Sequence, residues 1–117
     1  MPEKNPAFAD IYGVAAALIA DKHDAPRRSA VVQARDDYVT VFARTTQVSD
    51  YNPRHCLLSD VEPSCRLDKP GMYTTRHKHS IARTHFGDRN KCDFYGTLGT
   101  ASSEKLLDYW ETQLGLR

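Results

Sequence analysis

The feature that most constrains the fold is the stretch from Arg27 to Gln47. Arg27-Arg28-Ser29-Ala30-Val31-Val32 leads to a polar turn at Arg35-Asp36-Asp37, and Tyr38-Val39-Thr40-Val41-Phe42-Ala43-Arg44-Thr45-Thr46-Gln47 follows. Val39, Val41 and Ala43 alternate with Tyr38, Thr40 and Phe42, which is the period of a strand. Two β-rich runs joined by a tight charged turn predict a hairpin. A hairpin returns its far ends to one edge of the sheet, so the pair Arg27 and Arg28 faces Thr45, Thr46 and Gln47. Cations facing hydroxyls on a rigid scaffold suit a phosphate ligand.

At 117 residues the chain has the length of one domain with one core. Its net charge of +1 gives no reason by itself to expect a nucleic-acid partner. The distribution says more. Arg76, Lys78, Arg83, Arg89 and Lys91 fall in one run with a single acid, Asp88, and with His77, His79 and His85 interleaved. Such a run is either a solvated face or an anion-binding surface for nucleic-acid phosphates. The apolar run Val14 to Ala20 is too short to span a bilayer and has no basic segment before it, so no membrane partner and a cytoplasmic location are expected. Three cysteines, Cys56, Cys65 and Cys92, are an odd number without paired spacing, which points to reduced thiols.

Residues 1–12 read as an N-terminal arm, and Ile11 to Ala20 as a strand in preference to an alanine-rich helix. Beyond the hairpin, Ser49 to Pro53 is a turn, Arg54 to Ser59 a short strand and Asp60 to Pro70 a long loop. Gly71 to Thr75 and His77 to Ala82 read as two extended segments with a bend near Arg76, and Phe94 to Leu98 as a last strand. The end of the chain reads as a helix with Ser102 at the N-cap, an apolar stripe of Leu106, Leu107, Trp110 and Leu114, and Gly115 as the C′ residue. The fold class is therefore mainly β, a small barrel of short antiparallel strands with a C-terminal amphipathic helix packed on it.

With the strands in this order, the chain resembles the MazF/PemK family of toxins from type II toxin–antitoxin systems. Arg28-Ser29-Ala30-Val31-Val32 resembles the family's Arg-Pro-Ala-Val-Val, with serine in place of proline. Ala43-Arg44-Thr45-Thr46-Gln47 resembles the end of the next strand. Leu67-Asp68-Lys69-Pro70, then Ser80-Ile81-Ala82-Arg83, resembles the family's Leu-Lys-Lys-Pro and Ser/Thr-Ile-Asp-Lys segments. Gly96-Thr97-Leu98 before a leucine-rich helix resembles its C-terminal signature. The resemblance spans about Gly13 to Leu114. It implies an SH3-like barrel, a homodimer, neutralisation by an antitoxin peptide, and a metal-independent endoribonuclease acting on single-stranded RNA without a cofactor. In that reaction the ribose 2′-hydroxyl attacks the adjacent phosphorus and leaves a cyclic phosphate.

Such chemistry needs a base, an acid and donors that stabilise the phosphorane. Arg28 suits the last role because a guanidinium binds two phosphate oxygens at once. Thr45 resembles the family's active-site threonine, with Thr46 as its alternate one residue along. Two departures stand out. His23 occupies the position where some members carry glutamate, and Arg76 with His77 stands near the family's second acid. Histidine can replace a carboxylate in proton transfer near neutral pH, so His23 joins Arg28 and Thr45 as a catalytic candidate. Arg27, Thr46, Gln47, Arg76, His77 and Lys78 are the substrate-binding candidates. His77, His79, His85 and Cys92 lack the usual ligand spacings, and no metal is expected. Tyr73 and Tyr95 are either base-stacking platforms or barrel residues. The alternative function is a non-catalytic binder on the same barrel, similar to CcdB-like toxins that engage DNA gyrase through the C-terminal helix. An exposed Trp110 would favour it.

Overall fold

The structure is a computed structural model that describes residues 5–19 and 25–115. Among the described residues six strands form one sheet: β1 (Asp10–Val14), β2 (Arg27–Ala34), β3 (Tyr38–Thr45), β4 (Cys56–Ser59), β5 (Gly71–Ala82) and β6 (Cys92–Thr97). They lie in the order β4-β5-β3-β2-β1-β6, and every neighbouring pair is antiparallel. One helix, α1 (Thr100–Gln113), ends the fold.

Both faces of the central strands are buried, which is why β2 and β3 read as dense apolar runs rather than as half-polar strands. Ala30, Val32 and Phe42 face the helix, where Phe42 meets Tyr109 and Trp110 at ring distances of 5.5 and 5.8 Å. Val31, Val39, Val41 and Ala43 face the opposite side, with Tyr12, Ile81 and Phe86. The sheet curls because its register slips in three places: at Ile11/Tyr12, at Val31/Gln33 and at Phe42/Arg44. Extra residues on one strand of a pair bend it and tighten its twist. The last slip is the largest. Thr74 to His77 stand against Ala43 alone, so the bend expected near Arg76 is a bulge within one strand rather than a break between two.

The segment after β4 closes the curl. A 3-10 helix at Pro63–Cys65 lies on β6, and Gly96 (φ +147°) is what lets it approach. A Cβ there would stand 2.7 Å from the Ser64 carbonyl oxygen and 2.8 Å from Cys65 Cβ. The sheet's two edge strands are thus bridged into a barrel-like fold.

Several boundaries differ from the sequence expectation. The chain is tied down well before residue 12. Ala9 donates to the Val31 carbonyl (2.8 Å), and the buried Asp10 accepts from Thr97 Oγ1 (2.8 Å) and from the Ala7 backbone (2.9 Å). The strand expected over Ile11 to Ala20 ends at Val14, and Ala16–Leu18 is a 3-10 helix, in keeping with alanine's reluctance to pack in a sheet. The helix starts with Gly99, not Ser102, at its N-cap. Its first turn is capped from a distance, since Glu62 accepts from Gly99 N (2.9 Å) and from the Ser102 hydroxyl. That places a carboxylate at the positive end of the helix dipole. The buried stripe is Leu106, Tyr109 and Trp110, while Leu107 and Leu114 are exposed. Tyr109 wins the inward position because its ring packs on Phe42 and its hydroxyl donates to the His55 carbonyl. Gly115 takes positive φ (+78°) after the helix, as expected.

Candidate functional site

The β2–β3 ladder pairs Ser29 with Ala43 near its open end, which sets Arg27 and Arg28 beside Arg44 and Thr45. Arg27 Nε donates to the Arg44 carbonyl at 3.1 Å and ties the two strand ends together. A cleft of about 710 Å³ opens there. Arg27, Arg28, Arg44, Thr45, Thr46 and Gln47 line it from the hairpin. Asp68 and Lys69 close it from the segment after β4, and His77 enters from the β5 bulge.

The structure therefore brings together Arg28, Thr45, Arg27, Thr46, Gln47 and His77 from the expected set. It separates Arg76 and Lys78. Both are exposed on β5 but outside the cleft, and Lys78 Nζ lies 6.0 Å from the Trp110 ring. His77 and Lys78, neighbours on β5, face opposite sides of it, and Lys78 is on the side of the helix. His23 lies outside the described residues.

Arg28 is held but open. Its Nε donates to the Arg66 carbonyl, and its side chain remains 41% exposed. The ion pair with Asp68 is long (3.7 Å) and Asp68 is 70% exposed, so it contributes at most about 1 kcal/mol. The Arg28 guanidinium also stands 5.9 Å from the Tyr95 ring, which Arg66 approaches at 4.4 Å. Thr45 is half-buried, and its Oγ1 accepts from the Gln47 backbone at 3.1 Å, leaving its own hydroxyl proton for another acceptor.

Arg44 is the residue that sequence reasoning passed over. It is only 6% exposed. Nε donates to Ser59 Oγ at 2.9 Å, and Nη2 points at the carbonyls of Ser59 (3.2 Å), Asp60 (3.4 Å) and Lys69 (2.5 Å). Burial pushes its pKa down from the usual arginine value; Tyr73 opposes that shift, and the nearby Arg28 adds to it to a smaller extent. A Cβ at Gly71 would stand 2.9 Å from Arg44 Cζ and 2.5 Å from the Thr45 carbonyl oxygen, so glycine there lets the guanidinium lie flat on β5. The signal was present in the alternation. Arg44 has the parity of Phe42, an inward position where a charge is out of place unless it has a task.

The basic run is dispersed. Arg83 Nη1 donates to the Arg35 carbonyl at the hairpin turn (2.7 Å), and Arg89 pairs with Asp93 (3.7 Å). These contacts favour the solvated-face reading over a single anion surface. All three cysteines are buried and free, and burial pushes the Cys92 thiol up to about 12, so it is no thiolate nucleophile. Among the described residues no group of three or more His, Cys, Asp or Glu side chains is placed to hold a metal ion. Tyr73 is a core residue at 2% exposure, and burial raises its pKa to about 12. Trp110 is buried too, which removes the exposed aromatic that would have favoured docking through the helix. Among the described residues no helix is long and apolar enough to cross a membrane. No protein-family model matches this chain, and no curated protein sequence matches it.

Proposed function

We propose that this protein is a metal-independent endoribonuclease of the toxin type, cutting single-stranded RNA by attack of a ribose 2′-hydroxyl on the adjacent phosphorus. The observation that carries the reading is the meeting of Arg28, Thr45 and His77 in one cleft. A base takes the 2′-hydroxyl proton, the O2′–P bond forms, the P–O5′ bond breaks, and an acid returns a proton to the leaving 5′ oxygen. The products are a 2′,3′-cyclic phosphate and a 5′-hydroxyl. Arg28 offers two N–H donors to the phosphorane oxygens, and Thr45 offers its hydroxyl. His77 is the described group in the cleft suited to proton transfer near neutral pH. The proposal includes a homodimer, a neutralising antitoxin peptide and a cytoplasmic setting.

The test is incubation of the protein with a long unstructured RNA in EDTA. The reading expects fragments ending in cyclic phosphate, their loss in Arg28→Ala, and no cutting where the 2′-hydroxyl is replaced by hydrogen. Intact RNA in the presence of folded wild-type protein contradicts it and leaves a binding protein.

A further inference from the structure

The Arg44 guanidinium is bound by acceptors that carry no formal charge. Ser59 Oγ and three backbone carbonyls fix its plane, yet no carboxylate among the described residues lies within ion-pair distance. Glu62, whose charge acts on Arg44 from further away, has its carboxylate committed to Gly99 N and the Ser102 hydroxyl at the start of α1. The remaining terminal nitrogen, Nη1, makes no hydrogen bond to the described residues, and Arg44 forms part of the cleft wall. A buried cation stays ionised at arginine's high pKa and is costly unless an anion meets it. With Arg27, Arg28 and Lys69 around the same space against Asp68 alone, that anion is missing from the described cleft.

We propose that Arg44 is the fixed cation of the site: its Nη1 edge takes a non-bridging oxygen of an RNA phosphodiester, while the more exposed Arg28 closes on the same group from the rim. This rests on the nucleic-acid reading of the cleft but not on turnover. The four acceptors hold the guanidinium in place before the ligand arrives, so little side-chain freedom is lost on binding. A lysine at this position keeps the charge but cannot satisfy the same acceptors and present a further planar edge.

The test is a titration of isotope-labelled wild-type protein with a 2′-O-methylated trinucleotide, which cannot be cut by 2′-oxygen attack, and separately with inorganic phosphate. Arginine side-chain nitrogen resonances are followed by NMR. The expected result is saturable movement of the Arg44 and Arg28 signals with the trinucleotide. Arg44→Lys is expected to bind at least tenfold more weakly, and Arg83→Ala as wild type. An Arg44 signal that stays still at saturation overturns the proposal, as does a folded Arg44→Lys with wild-type affinity. Movement with inorganic phosphate alone overturns the diester assignment. If Arg44→Lys does not fold, the wild-type titration decides. Trinucleotide binding through Arg44 without RNA cleavage keeps this inference and removes the nuclease; cleavage with an unmoved Arg44 does the reverse.

Discussion

At its closed end the β2–β3 hairpin carries Arg35, Asp36 and Asp37, and at its open end Arg27, Arg28, Arg44 and Thr45. Both ends are polar and both are held from within the chain, but among the described residues their charges balance differently. Arg35 donates its backbone N–H to Tyr38 (2.8 Å), and Arg83 reaches over to donate to the Asp37 carbonyl (2.9 Å) and, by its side chain, to the Arg35 carbonyl (2.7 Å). Two arginines there stand with two aspartates. Among the described residues the open end gathers Arg27, Arg28, Arg44 and Lys69 around one acid, Asp68. A chain of net charge +1 therefore hides a strongly cationic cleft. Local charge balance marks the difference between a turn and a site.

The largest expected effect belongs to Arg28. Arg28→Ala is expected to lower RNA cleavage by roughly 10²–10³-fold, the usual effect of removing one donor to a developing oxyanion. Its loss of stability should stay near ~1 kcal/mol, since it gives up one bond to the Arg66 carbonyl and an exposed pair with Asp68. A large loss of stability with little loss of cleavage would break the comparison. Salt comes next. If about three phosphates are neutralised in the open end, affinity for single-stranded RNA should fall about 20-fold between 50 and 200 mM salt. Lys69→Ala should flatten that dependence and Arg35→Ala should not, which binding isotherms at several salt concentrations would reveal.

The closed end makes the opposite forecast. Arg83→Ala deletes the side-chain bond to Arg35 and is expected to cost about 1 kcal/mol of stability, or about 4 °C in a chain of this size. RNA cleavage by Arg83→Ala should match wild type; a matching loss of activity would mean that the basic run after β5 belongs to the site. The smallest effect is a gain. Asp68→Asn removes the one acid among the described cleft residues and is expected to tighten RNA binding by about threefold, in line with an exposed pair worth a fraction of a kcal/mol. Weaker binding by that variant would turn Asp68 into a positioning group.

What was legible in the sequence was whatever depends on local pattern. The alternation of Val39, Val41 and Ala43 gave both the strand and its buried face, and the hairpin brought Arg28 and Thr45 to one edge. Long-range packing was not legible. Nothing local to Ser102 reveals that Glu62 completes the helix start, and the leucines of α1 mask the choice of Tyr109 over Leu107 for the inward stripe. Asp68 and Lys69 read as loop residues because the 3-10 helix that carries their segment across β6 depends on a glycine thirty residues away, Gly96. His77 and Lys78 looked equivalent in a basic run, and only the side of β5 each one faces separates them.

The most direct measurement of where the phosphodiester lies is photo-cross-linking of an uncleavable 2′-O-methylated RNA carrying 4-thiouridine, followed by mass spectrometry of the adducts. The account predicts adducts on residues 25–28, 45–47 and 68–69, and their loss in Arg28→Ala. Adducts confined to the closed end and the Arg83 to Lys91 segment, or none at saturating RNA, would contradict it.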